Sequence, residues 1–167
     1  MNRESFAWHE AGHAFMAYDR GISFTTVSIA PVRDSAGCLS HGDSVVRALT
    51  NDEREGSRRW RRFAEDHILV ALAGLAAQRL LEPAALDDVA QSDIDFAQAL
   101  AFRVSGTGDQ AKAYLTWQGI RARNAVAAPL ARAALSALAG ALLTDETIRA
   151  RTARQIMRVA IEDTPAQ

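Results

Sequence analysis

The sequence NRESFAWHEAGHAFMAYDR occupies residues 2–20 and predicts one long helix, which Gly21 ends. Its apolar and histidine side chains recur every three to four residues, the spacing of a single helix face. The members of this face are Phe6, His9, His13, Met16 and Ala17. These side chains therefore share one side of the predicted helix.

The same helix carries the pattern His-Glu-x-x-His at residues 9–13. Two histidines four residues apart lie on one helix face, so their ring nitrogens can bind one tetrahedral ion at about 2.0–2.1 Å. Glu10 lies about 100° around the helix from His9, from where its carboxylate can reach a water molecule on the metal. The pattern predicts a catalytic zinc site with His9 and His13 as ligands and Glu10 as general base. The third ligand must come from another element, because no further His or Glu follows in this helix.

Short extended segments come next. The alternation in ISFTTVSI predicts a strand over residues 22–29, which Pro31 ends. A second, weaker strand is predicted within residues 36–46. We expect a small β-hairpin or short sheet beside the first helix, and an edge at residues 22–30 to which a bound peptide could add its backbone.

Helical patterns fill the rest of the chain and make the predicted fold mainly α. The first predicted segments are a helix over about 52–82, either continuous or broken near Asp66, and a loop from Glu82 to Gln91. They are followed by a helix from a capping box at Ser92 and Asp95 to about Ser105, a break at 106–108, helical patterns over about 109–142, and a last helix from Thr144–Glu146 to about Glu162.

Length and composition indicate a single domain over residues 1–167. A chain of this size buries roughly two-thirds of its unfolded surface, so a metal here would be functional rather than needed for folding. One cysteine, Cys38, excludes an internal disulfide and fits a reducing compartment. We find no signal peptide and no membrane segment in the sequence, and expect a cytoplasmic protein.

Charge gives no case for nucleic-acid binding. Lys and Arg number 19 against 20 Asp and Glu, a net charge of −1. The one basic cluster, four arginines around Trp60, is nearly cancelled by neighbouring acidic residues, so it is interpreted as a solvated helix face. Leucines of the C-terminal helices predict either an internal core or a surface for self-association; they are Leu130, Leu135, Leu138 and Leu142.

Several motifs together resemble the peptidase domain of the FtsH-type membrane AAA zinc proteases. The match extends over essentially the whole chain and is strongest at residues 7–14 and 91–97. The motifs, in order, are WHEAGHA at 8–14, a strand ending at Pro31, Gly37, LAGLAA at 72–77 and SDIDFA at 92–97. The resemblance implies a helical zincin-like peptidase domain that hydrolyses peptides or unfolded proteins.

The resemblance also implies roles for individual residues. His9 and His13 would be zinc ligands, Glu10 the base, and Asp93 the third ligand. A carboxylate is also favoured at the first turn of a helix, so Asp93 could instead be a helix-start charge only. Gln78 stands where the family has a carboxylate, and its amide oxygen can still accept a hydrogen bond from a ligand histidine.

For the other polar residues, the sequence predicts ordinary structural roles rather than a part in the metal site. Asp95 is predicted to be the capping partner of Ser92. The residues His41, His67, Asp87 and Asp88 are taken as ordinary polar positions, and Cys38 is a fourth ligand only if its loop covers the site.

The family's ATPase module has no counterpart in this sequence, which contains no phosphate-binding GxxxxGK[ST] motif. We therefore expect ATP-independent hydrolysis by this chain, with a separate ATPase as a partner and a homo-oligomer as the assembly that the resemblance suggests. Two alternatives stay open: a weak or inactive peptidase-like binding module, and a zinc hydrolase of a non-peptide substrate.

Overall fold

The computed structural model describes residues 2–30, 38–40, 57–84 and 91–165. Within these ranges the chain forms six helices and three short strands. They are α1 (Arg3–Asp19), β1 (Thr26–Ser28), β2 (Cys38–Ser40), α2 (Arg58–Leu81), α3 (Gln91–Ser105), α4 (Gly108–Ala127), α5 (Pro129–Asp145), β3 (Thr147–Arg149) and α6 (Ala150–Glu162). The predicted mainly α fold with a small sheet is confirmed.

Helix α1 is the central element, and its prediction over residues 2–20 is confirmed. Asn2 caps it by accepting a hydrogen bond from the Ser5 amide at 2.6 Å. Every residue from His9 to Ala17 is buried, so the helix is enclosed on all sides rather than on one face. Gly21, at φ +69°, ends the helix in the left-handed region that only glycine enters without strain.

Helix α2 packs closely along α1. A methyl group added at Gly12 of α1 would lie 2.7 Å from the Ala77 Cβ and 2.5 Å from the Ala73 carbonyl oxygen, so only glycine fits there. Helix α2 is continuous from Arg58 to Leu81, so of the two alternatives left open by the sequence, the one with a break near Asp66 is excluded. Asp66 instead accepts a hydrogen bond from the Arg20 side chain at 2.8 Å, which ties α2 to the end of α1.

The sheet is antiparallel, with strand order β2-β1-β3. Thr26 pairs with Ser40 on one side and with Arg149 on the other. The strand predicted over 22–29 is thus shortened to its last part, and of the segment 36–46 only residues 38–40 are described. Because β1 has a partner on both sides, the free peptide-binding edge predicted at residues 22–30 is wrong.

The start of the last helix also differs from the prediction. Helix α5 runs through Asp145, Glu146 turns the chain at φ +55°, and residues 147–149 pair with β1 before α6 begins. The side chain of Ile148 is buried. Backbone pairing and burial outweigh the local helix-start signal at Thr144–Glu146, whereas the predicted end near Glu162 is confirmed.

Helix α3 begins one residue before the predicted cap. Ser92 therefore lies inside the helix, and Asp95 accepts a hydrogen bond from the Gln91 side chain at 2.7 Å instead of closing a capping box with Ser92. The predicted end at Ser105 is confirmed, and Thr107 caps α4.

Two apolar clusters form the core. The larger joins α1, α2, α5, α6 and β1, and it contains the fully buried Leu135, Leu138 and Leu142, so most of the leucine stripe is internal. The smaller joins the start of α2 to α3 and α4 around Trp60, whose flanking arginines are exposed as predicted. No single described helix is long and apolar enough to cross a bilayer. Helices α4 and α5 have the required length and apolar composition only when taken together, and a bend of 77° separates them.

Candidate metal centre

The two histidines of the motif converge as their spacing predicts. His9 and His13 are both buried, and their Nε2 atoms lie 3.0 Å apart. Both rings point from α1 toward α2 and α3, the elements that supply their other contacts.

Asp93, from the first turn of α3, completes a triangle of donor atoms. Its Oδ2 lies 3.1 Å from His9 Nε2 and 3.2 Å from His13 Nε2. Donors around a tetrahedral zinc with bonds of about 2.0–2.1 Å stand about 3.3 Å apart. The three atoms therefore have nearly the separation that one small cation requires. The structure brings His9, His13 and Asp93 together across 80 residues of sequence, as the resemblance implied.

Both imidazoles are held by acceptors at their other nitrogen. His9 Nδ1 faces the Gln78 Oε1 at 3.2 Å, and His13 Nδ1 faces the Val70 carbonyl oxygen at 2.8 Å. A carbonyl oxygen can accept but not donate a hydrogen bond, so these contacts place a hydrogen on each Nδ1. When a ring is neutral, its Nε2 lone pair is therefore directed at the triangle of donor atoms. Gln78 was identified from sequence, whereas the Val70 carbonyl carries no side-chain signal that could have revealed it.

Glu10 lies beside the same cluster. Its side chain is 4% exposed, and its Oε2 is buried without a hydrogen-bond partner among the described residues. The ligand atoms of His9, Glu10 and His13 all lie within 4.8 Å of one another, so this buried group could hold a metal ion. Two carboxylates thus compete for the role of third ligand, and Asp93 has an oxygen in closer contact with both Nε2 atoms.

The electrostatics of the cluster favour a positive charge. Burial lowers the pKa of His13, but the hydrogen bond and charge of Asp93, with the charge of Glu10, outweigh it and raise that pKa to about 9. Burial alone would raise the pKa of Asp93, yet its contacts with His13 and His9 hold it well below its usual range. The metal-free cluster therefore holds a proton at neutral pH where a bound cation would lie.

Burial is the main cause of the pKa shifts of the other two groups, His9 and Glu10. Burial lowers the pKa of His9, and this effect exceeds the opposing contribution of its contact with Asp93. Burial also raises the pKa of Glu10 to about 7.

Gly74 of α2 closes the other side of the cluster. A methyl group at this position would lie 2.9 Å from His9 Nε2 and closer still to the His13 ring. The backbone of α2 therefore approaches the two imidazoles closely only because this residue has no side chain. Residues 72–77 were part of the family resemblance, but the sequence did not predict that Gly74 lies against the two imidazoles.

The other polar residues considered from sequence lie elsewhere or outside the described part. His67 faces the Phe63 carbonyl oxygen at 2.9 Å and packs against the Phe63 ring. Asp95 contacts Gln91 on the exposed side of α3. The side chains of Cys38, His41, Asp87 and Asp88 lie outside the described residues.

No protein-family model matches this chain, and no curated protein matches it.

Proposed function

We propose that the chain is a zinc-dependent metalloendopeptidase, in which His9, His13 and Asp93 bind the metal and Glu10 is the general base. The observation that carries this proposal is the triangle of donor atoms, 3.0–3.2 Å on each side, with a buried carboxylate beside it. Two imidazoles and one carboxylate form the donor set of catalytic zinc sites, which keep a fourth position open.

The donor set fits zinc on its own chemistry. Imidazole nitrogen and carboxylate oxygen both bind Zn²⁺, and the acceptors at Nδ1 fix each ring in the tautomer that a metal requires. When bound, zinc would lower the pKa of a water molecule and polarise a substrate carbonyl.

Glu10 supplies the proton transfer. Its carboxylate would accept the proton of the attacking water and later deliver it to the leaving amine. Burial raises its pKa to about 7, which suits a group that takes up and releases a proton near neutral pH. Its Oε2 makes no hydrogen bond within the described part of the chain, which leaves that oxygen for the proton transfer.

The peptide substrate is the part of the proposal that rests on the resemblance. With β1 paired on both sides, substrate-binding residues remain unassigned. An unfolded protein as substrate, a separate ATPase partner and a homo-oligomer have the same basis. The proposed cytoplasmic location rests instead on the single cysteine, which fits a reducing compartment.

One observation favours a second candidate, a weak or inactive peptidase-like binding module. The partner of His9 Nδ1 is the neutral amide of Gln78 rather than a carboxylate. A neutral acceptor polarises the imidazole less, and changes at this kind of position typically alter metal affinity or activity about 10- to 100-fold.

The test combines metal analysis with cleavage of casein by the wild-type protein and Glu10→Gln. We expect about one zinc per chain in both proteins, and cleavage reduced at least about 10²-fold in the variant, as for loss of a general base. Metal without cleavage in the wild-type protein would favour the binding module. A wild-type protein that stays metal-free after zinc incubation would contradict the proposal as a whole.

A further inference from the structure

A hollow of about 500 Å³ lies against one face of α6. Its lining includes Tyr18 near the end of α1, Phe24 before β1, and the three arginines Arg151, Arg154 and Arg158 of α6. The arginines are spaced by three and four residues, so they project from the same side of the helix. A cavity of this size matches the usual volume of small-ligand sites.

The hollow is separate from the metal centre. Tyr18 follows His13 by five residues, which corresponds to about 7.5 Å along α1 and a turn of about 140° around it. Tyr18 and His13 therefore face different sides of the helix. A ligand of the hollow would bind independently of the proposed hydrolysis.

The charge of the hollow is strongly one-sided. Its described lining contains three guanidinium groups and no carboxylate, although the whole chain has a net charge of −1. Arg158 receives partial compensation from Glu162 at 3.9 Å, outside the described lining. Three like charges in one concave surface favour a multivalent anion as its occupant.

Arg154 is held in place as an anchor for such an anion. Its Nη2 donates a hydrogen bond to the Ile22 carbonyl oxygen at 3.2 Å, and its guanidinium lies 5.1 Å from the centre of the Phe24 ring. Its Nε is buried and has no hydrogen-bond partner among the described residues, and the described lining of the hollow contains no carboxylate. The described contacts of Arg154 are therefore with neutral groups, which hold the guanidinium in place without compensating its charge.

We propose that this hollow binds a diphosphate group. The planar guanidinium fork matches phosphate oxygens in pairs, and two linked phosphates supply the several negative charges that three arginines require. Tyr18, which also lines the hollow, carries a hydroxyl that can donate a further, neutral hydrogen bond. A concave site of this volume suits a small molecule better than the flat face of a macromolecule. Free pyrophosphate and the diphosphate of a nucleotide share this chemistry.

The experiment is calorimetric titration of the protein with pyrophosphate and, separately, with ADP, at fixed ionic strength. The protein is first stripped of metal with EDTA, which is then removed by desalting, so that neither zinc nor a competing multivalent anion contributes to the signal. The test variant is Arg151→Gln/Arg158→Gln, since both side chains are exposed and their loss should leave the fold intact. The control is Arg123→Gln/Arg132→Gln, which removes two exposed arginines of α4 and α5 outside the hollow. Circular dichroism checks the helical content of each variant.

We expect saturable binding that the test variant weakens about tenfold or more and the control leaves unchanged. Tighter binding of ADP than of pyrophosphate would identify a nucleotide as the source, and the reverse would identify free diphosphate. Absence of saturable binding for both ligands, or equal weakening in the control, would overturn the proposal without affecting that of the metallopeptidase.

Discussion

At the scale of single residues, the three proposed metal ligands are each held by a contact from another element. Gln78 and Val70 of α2 orient the two imidazoles of α1, and Asp93 of α3 faces both of them. A substitution that removes one of these contacts therefore tests the role of one residue in the proposed site.

Asp93→Asn tests the third ligand. An amide is a poorer donor and leaves the site one negative charge short, so we expect zinc affinity to fall at least about tenfold. The helix should persist, because a first-turn charge contributes only about 0.3–1 kcal/mol. Zinc titration with a competing chelator measures the affinity, and Asp95→Asn is the control because that side chain faces Gln91. Unchanged affinity in Asp93→Asn would mean that Asp93 is a helix-start charge only.

The metal-free protein should become less stable between pH 7 and pH 9. The pKa of His13 is raised in the folded state to about 9 from 6.5, so its stabilisation is complete below 6.5 and is lost as the pH rises toward 9. The pKa of Glu10 is raised from 4.5 to about 7, so the stability lost when Glu10 ionises is lost mainly below pH 7, outside this window. We expect a decrease on the order of 1–2 kcal/mol in the free energy of unfolding.

Urea unfolding in EDTA at the two pH values measures this decrease. His13→Gln should remove most of it, since the variant has no imidazole to titrate. Saturating zinc should also remove it, because a bound metal takes the place of the proton. A decrease of the same size in His13→Gln would assign the effect to other groups.

At the scale of elements, the metal centre depends on how closely α1 and α2 approach. Gly12 on α1 and Gly74 on α2 both lie where a methyl group would meet the other helix. The α2 helix in turn is fixed at its other side by packing against α3, which carries Asp93. The separation of these helices therefore influences the positions of all three proposed ligands.

Gly74→Ala should disturb the centre although alanine favours helices. Alanine gains up to about 1 kcal/mol of helix propensity over glycine, but its methyl group would overlap the two imidazoles. We expect the strain to outweigh the gain, with a net loss of about 1–3 kcal/mol in unfolding free energy and weaker zinc binding. Gly119→Ala of α4, with no neighbour within 4 Å, should instead be neutral or stabilising. Zinc affinity unchanged in Gly74→Ala would show that the ring positions do not depend on this contact.

At the scale of the whole molecule, one apolar cluster joins the N-terminal helix to the C-terminal pair. Helix α5 packs on α1, while β3 joins the sheet at β1, so the two ends of the described chain stabilise each other. The metal centre lies within this framework at α1. Its stability therefore depends on residues more than 120 positions away.

Leu138→Ala should destabilise the fold strongly, because the side chain is 0% exposed within the larger cluster. We expect a loss of about 2–5 kcal/mol in the free energy of unfolding. Leu130→Ala is the matched control, since Leu130 is 45% exposed and should change the stability by about 0.5 kcal/mol or less. Urea unfolding measures both, and equal losses would mean that Leu130 is buried in an assembly.

The sequence by itself determined helix α1, its two histidines and Glu10, because helical periodicity and a four-residue spacing are local properties. It also indicated Asp93 and Gln78, but only through resemblance, since nothing local places residues 78 and 93 beside residue 9. Tertiary structure alone decided the Val70 carbonyl and the close approach at Gly74, which are backbone contacts between helices. It also turned Thr147–Arg149 into a strand and gave β1 two partners, because pairing of distant backbone groups outweighs a local helix-start signal.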